Sequence, residues 1–338
     1  MLHDAARCRV CGRSGLSIHN DASVTKRRTA MRSLKVSLRR NWSLYLLALP
    51  ALVYFIIFVY WPMYGIIIAF KDFSPSKGIM GSPWASTRGV VDVFKHFKNF
   101  FNSIHFTRTV RNTLEISLYT LAVGFPIPIV LAILMNELTN AKFKQFVQTV
   151  TYLPHFISTI VMCGMLWIFM RNETGLFNIL RDKIGLESIN FLNEPQYFKS
   201  IYVWSGVWQD AGWGTIIYMA TLSGLDTQMY EAAHIDGASK WQTIWHITLP
   251  CLMPTAIMLL ILNCGSFMSV GFEKVFALQT DLTLETSDVI STLVYRKGIL
   301  ETSYSFSAAV GLFNSLINLV LLLLVNFISR KTADISLF

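Results

Sequence analysis

Six runs of apolar residues, separated by polar islands, divide the chain between Ser43 and Ser329. A helix that crosses a bilayer needs about 20 such residues at about 1.5 Å each, and each run meets or approaches that length. The first, about Ser43 to Phe70, carries no charge and exceeds one straight crossing; its Pro50 and Pro62 predict tilt, a kink or an interfacial extension. The second, roughly Thr113 to Met135, contains Pro126 and Pro128, and the third covers Thr151 to Met170. The fourth, Ser200 to Gly224, is interrupted by Gln209 and Asp210; the fifth runs from Pro250 to Phe272 and the sixth from Phe306 to Ser329. The pattern predicts an all-α polytopic membrane protein of six helices, with both chain ends on one side.

Two polar islands have a pattern of their own. After the first run, Phe94, Phe97, Phe101 and Ile104 recur at helical spacing and predict an amphipathic helix at the membrane surface. Between the fourth and fifth runs lies "EAAHIDGASKWQTIWHITLP", residues 231 to 250. It reads as two short helices and a joint. Gln228 to Ile235 forms the first, Asp236 caps the second, Gly237 permits the turn, and Ala238 to Thr248 forms the second, with Trp241, Ile244, Trp245 and Thr248 on one face. Pro250 then opens the fifth span, where its missing N–H does no harm. An interfacial helix would account for the tryptophans, but not for Glu231 and Asp236 beside an apolar surface whose one basic neighbour is Lys240. Carboxylates placed there call for a cationic partner on another chain.

The composition, 53% hydrophobic and 14% charged over 338 residues, agrees with a membrane protein. The net charge of +9 does not point to nucleic acid, because seven of the basic residues fall between Lys26 and Arg40, where anionic lipid headgroups and the topology rule account for them. Lys and Arg totals on the two sides are nearly equal. The density before the first span, with Arg330 and Lys331 after the last, places both termini, the 136 to 149 loop and the 226 to 250 loop in the cytoplasm. Residues 1–40 form a basic N-terminal segment. Its first thirty differ in texture from "MRSLKVSLRRNW", which begins at Met31, and are expected to be disordered or non-native; 41–338 form one transmembrane domain. Cys8-x-x-Cys11 is half of a zinc knuckle, so no metal site is expected, and five scattered cysteines make no disulfide framework.

Several chemistries are missing. No Gly-Lys pair occurs, so there is no phosphate cradle for ATP; no His is followed by Glu, and no G-x-S-x-G elbow is present. No enzyme and no cofactor are expected, and energy for transport has to come from an ion gradient or another subunit. An ion-coupled secondary carrier needs ionisable relays within its spans, and only Asp210 is clearly there, with His155 nearer a helix start. A membrane anchor for a soluble enzyme is the third possibility.

Glu231-Ala232-Ala233, Asp236-Gly237-Ala238 and Ile247-x-Leu249-Pro250 together resemble the EAA loop of type I, binding-protein-dependent ABC-importer permeases. "NTLEISL" at 112, "LAILMNEL" at 131, "YLPHFIS" at 152, "GWGTIIYMATLSGLD" at 212 and "DVISTLVYRKGI" at 288 resemble the oligosaccharide and polysaccharide subfamily, so the likeness covers nearly all of the chain from Met31. Trp245 stands where many members have Phe. The resemblance implies the six-helix permease fold, a second homologous permease, two cytoplasmic ATP-binding subunits, an extracytoplasmic solute-binding protein and a sugar substrate in a bacterial cytoplasmic membrane. It further implies that Glu231 meets a basic residue of the ATPase, that Ala232 and Ala233 pack closely there, that Asp236 and Gly237 form the joint, and that Ala238, Leu249 and Pro250 complete the motif.

Sugars are held by polar groups at their hydroxyls and by aromatic faces at their C–H surfaces. On the fourth run Trp213 lies one turn from Gln209 and Asp210, about 15 Å into the helix, and Trp204 and Trp208 form a separate pair. The fifth run offers Asn263 with Ser266; the sixth aligns Ser307, Gly311, Asn314 and Asn318. These are the candidate pathway residues, and the small and amide residues among them also suit helix packing.

Overall fold

A computed structural model describes residues 40 to 333 and 335 to 337. Apart from Arg40, the basic N-terminal segment lies outside the described residues. The chain divides into a unit ending at Gly65 and a unit from Ile66 onward.

In the first unit Trp42–Phe55 is α-helical, with Pro50 inside it, and Ile56–Tyr60 forms a π turn. Trp61 there donates its N–H to the Ile56 carbonyl, five residues back, so the wider turn absorbs the donor that Pro62 lacks. The helical run ends at Phe70, past the last residue of this unit, and Trp42–Phe70 is α1.

In the second unit, α2 (Lys95–Phe101) is followed by α3 (Ile104–Asn136), α4 (Ala141–Phe156), α5 (Thr159–Phe169), α6 (Pro195–Ser223), α7 (Thr227–Ile235), α8 (Lys240–Cys264), α9 (Phe272–Leu278), α10 (Ile290–Tyr295) and α11 (Tyr304–Ala333). A two-stranded antiparallel hairpin, Ser86–Thr87 with Val90–Val91, is a small departure from the all-α expectation. Among the described residues four helices, α1, α3, α8 and α11, are long and apolar enough to cross a membrane, or five spans if α4 and α5 are one broken span. The count of six is therefore not reached by length and apolarity. The fourth expected span is present as the 29-residue α6, but its polar middle keeps it from qualifying.

Three corrections have local causes. The third expected span is not one rod: α4 and α5 meet at 98°. Pro154 tightens the end of α4 into a 3-10 turn, and Ser158 caps α5 by accepting the Val161 N–H. The amphipathic helix is shorter than its stripe, ending at Phe101, and its anchor is Phe100, fully buried against Met268, Leu293 and Val310 while Phe94, Phe101 and Ile104 are exposed. Finally, Pro250 does not open a helix. It lies inside the continuous α8, just after a π turn, Ile244–Thr248, in which Leu249 reaches back to the Ile244 carbonyl. The same device as at Pro62 carries a helix through a proline.

α6 runs through the middle of this unit, and glycine sets how closely its neighbours approach. A Cβ on Gly212 would lie 2.0 Å from the Thr151 carbonyl oxygen, and one on Gly214 would lie 3.1 Å from Pro128 Cγ, so α4 and α3 both press on α6 backbone. Near the polar loop Ala132, Tyr218, Leu222, Leu252 and Ala256 form a buried cluster joining α3, α6 and α8.

Candidate functional site

The polar loop between α6 and α8 is built by its own residues. Asp226 caps α7 by accepting the Gln228 N–H at 2.9 Å. At the far end Gly237 takes φ +74°, Ala238 N–H bonds the Ala233 carbonyl at 2.9 Å and Gly237 N–H bonds the His234 carbonyl at 3.1 Å. These two bonds make a Schellman ending, which needs a left-handed residue at position 237. Asp236 belongs to this ending rather than capping α8. Ser239 caps α8 in a capping box, bonding the Gln242 N–H while the Gln242 side chain returns to the Ser239 N–H at 2.7 Å. Tyr230 and Thr248 hydroxyls, 3.2 Å apart, tie α7 to the π turn of α8.

Glu231, Ala232, Asp236, Gly237 and Pro250 are exposed, and Ala233, Ala238 and Leu249 are half-buried. Lys240 approaches Glu137 at the end of α3, at 3.9 Å. Glu231 and Asp236 have no ion-pair partner among the described residues. Beside them Ile235 is 86% and Trp241 69% exposed. The surface thus joins two unpaired acids to large apolar side chains.

Away from this loop a cavity of about 490 Å³ opens between α3, α6 and α8. Of the sequence-derived pathway residues, Asp210 and Asn263 line it, with Ser117, Thr120 and Ser266. Asp210 Oδ1 lies 2.9 Å from His155 Nδ1, and the imidazole stacks on Trp213 at 4.4 Å and 8°. Gln209 does not share that face. It is buried, and its Nε2 donates to the Ile157 carbonyl at 2.7 Å, satisfying the acceptor left open where α4 breaks from α5. Trp213 stands outside the cavity lining. Asn318 accepts the Met268 N–H and donates to Ser269, holding the turn after α8, and Asn314 Oδ1 is buried without a partner among the described residues. Trp204, by contrast, donates to the Tyr119 hydroxyl at 2.9 Å.

One residue beside this cavity escapes a reading of the sequence. Lys274 looks there like an outer-loop charge, but in α9 it is buried and donates to the Tyr202 carbonyl at 2.7 Å. The signal was its place beside Glu273 in the mostly apolar "FEKVFAL".

Comparison with known proteins follows the same geometry. The chain is 40% identical over 306 residues to Protein LplB of Bacillus subtilis (strain 168), covering 90% of this chain and 94% of that protein. It is 38% identical over 318 residues to the polygalacturonan/rhamnogalacturonan transport system permease protein YteP of the same organism, covering 94% of this chain and 97% of that protein. Among solved structures, a bacterial ABC transporter involved in the import of the acidic polysaccharide alginate superposes with a TM-score of 0.81 at 39% identity, over 89% of this chain and 99% of that one. Residues 124–334, from the middle of α3 to the end of α11, match the family described as binding-protein-dependent transport system inner membrane component, and the chain belongs to that family.

Proposed function

We propose that this chain is the path-forming subunit of an ATP-driven sugar importer, working with a second homologous permease, two cytoplasmic ATP-binding subunits and an extracytoplasmic solute-binding protein. It sits in the bacterial cytoplasmic membrane with both termini and the 226 to 250 loop on the cytoplasmic side. The substrate is an oligosaccharide, in keeping with the transport systems named for its relatives. The observation that carries the proposal is the polar loop: a rigidly capped helix presenting Glu231 and Asp236 without partners, beside exposed Ile235 and Trp241. Such a surface fits a cleft on another protein that supplies cations and an apolar floor.

In this function closure of the ATPase pair on ATP draws the loops together and turns the membrane helices from inward-open to outward-open. Ala232 and Ala233 allow close approach, and Gly237 holds the angle between α7 and α8. Asp210 and Asn263 face the sugar in the cavity; Gln209, Trp213, Asn314 and Asn318 hold the walls that shape it. The test is Glu231→Gln in the complete transporter in proteoliposomes. Substrate-stimulated ATPase and uptake are expected to fall together while membrane insertion and assembly persist. Transport at the wild-type rate would overturn the coupling role, and uptake that continued without ATP would favour an ion-coupled carrier.

A further inference from the structure

Lys274 occupies the third position of α9 and is 8% exposed. Its Nζ donates to the Tyr202 carbonyl at 2.7 Å and lies 4.6 Å from the Tyr202 ring centroid. No carboxylate lies within ion-pair distance of it among the described residues; Asp210, already bonded to His155, is the acid that acts on it through space. A buried ammonium whose acid neighbour is shared with an imidazole is costly, and such a residue points to a further anionic partner.

The surroundings indicate the partner. Tyr202, Gly206 and Gly271 all line the 490 Å³ cavity. A Cβ on Gly206 would lie 3.0 Å from Lys274 Nζ, so the bare glycine is what lets the ammonium come up to the cavity wall. Gly271 N–H bonds the Tyr202 hydroxyl at 3.2 Å and keeps that ring beneath the lysine. The same cavity carries hydroxyl-binding groups, Asn263, Ser266 and Asp210, the last engaged by His155. A uronate ring bears both complements, a carboxylate for the ammonium and hydroxyls for the amide and acid. A neutral hexose brings the lysine no directly paired carboxylate.

Resting on the importer function proposed above, we infer that Lys274 is a specificity-determining residue and that the cavity it borders takes acidic, uronate-containing oligosaccharides. Attraction between a carboxylate and this ammonium acts across a low-dielectric wall, where it is far stronger than in water. Two comparison proteins are named for acidic polymers, polygalacturonan and alginate, which agrees with the charge of the site.

The experiment uses the complete transporter with its binding protein in proteoliposomes, and two probes: trigalacturonate, and the same trisaccharide with its carboxyls reduced to hydroxymethyl groups. Each variant is compared with wild type on each probe, so selection by the binding protein cancels. Lys274→Met is expected to lower kcat/KM for the acidic probe by about tenfold or more and to leave the neutral probe unchanged, while Lys274→Arg retains the acidic probe. Gly206→Ala, which pushes the ammonium off the wall, should give part of the same selective loss and serves if Lys274→Met fails to assemble. If wild type moves only the acidic probe, loss in Met with retention in Arg supports the inference. Equal losses on both probes would make Lys274 a packing residue and overturn it, as would a wild type indifferent to the carboxyls; in either case the importer function stands. A wild type that moves no saccharide overturns both.

Discussion

Arg108, in the first turns of α3, bonds the Asp288 carboxylate at 2.6 Å across 180 residues of sequence. Arg296, in the π turn after α10, bonds it at 2.8 Å, and Thr292 donates to it at 3.0 Å. The Asp288 side chain is fully buried, so two helices converge on one desolvated acid whose acceptors are satisfied. Asn112 adds a bond to the Asp288 carbonyl at 3.1 Å. Asp288→Asn leaves two guanidiniums facing a neutral amide, and a loss of about 3 kcal/mol or more is expected. Thermal unfolding of the purified protein in detergent checks it. Removing Arg296, which is partly exposed, is expected to cost less.

Gly212→Ala asks a methyl group to share space with backbone that cannot move aside, the Thr151 carbonyl. The cost is expected to exceed about 3 kcal/mol, the upper end of ordinary overpacking, and to appear as loss of folded protein in membranes. Gly214→Ala meets only the edge of Pro128, and should lower the melting temperature while leaving the yield of folded protein intact.

In the polar loop the order of effects reverses the one expected from sequence alone. Ser239→Ala removes a capping box and should destabilise the start of α8 by about 1 kcal/mol, whereas Asp236→Asn should leave helix stability unchanged. Gly237→Ala places a Cβ at φ +74° in open space, so its cost is conformational, about 1 kcal/mol. Hydrogen exchange across residues 227 to 248 distinguishes the three.

His96, in the first turn of α2, has its imidazole held below the ordinary value of 6.5 chiefly by burial, with Asp72 opposing and Lys95 adding to the shift. The folded chain therefore resists protonation there more than the unfolded chain. This contribution is complete above about pH 6.5 and is lost as pH falls toward the folded value. Asp72, held below 3.8 by Lys95 and the Ser86 N–H despite its burial, acts in the same direction in a more acidic window. Protection of amides in residues 71 to 103 should decline as the medium is acidified from neutral, and His96→Gln should flatten the first step only.

The long apolar runs of the sequence locate the helices well, because length and hydrophobicity are summed over about 20 residues and tolerate local error. Proline was the misleading signal. At Pro62 and Pro250 a five-residue turn absorbs the missing donor, an arrangement that residue identity does not announce. The break at Ile157 was equally hidden, since its carbonyl is met by Gln209, 52 residues away. The loop motif was legible down to Gly237, whose left-handed backbone is a local property. Lys274 was not, because burial of one charge depends on which helix faces it.

Because α8 passes through Pro250 without a break, the second half of the polar loop and the apolar helix behind it are one helix of 25 residues, about 38 Å long. A force applied at Trp241 therefore crosses no break in the helix before it reaches Asn263. In the importer function proposed above, this helix would act as a lever with its fulcrum near Thr248, where the Tyr230 hydroxyl bonds it and the buried cluster begins. On that proposal a lateral stroke at Trp241 becomes an opposite swing of Asn263 at the cavity, and the ratio of the two arms sets how far the cavity walls part.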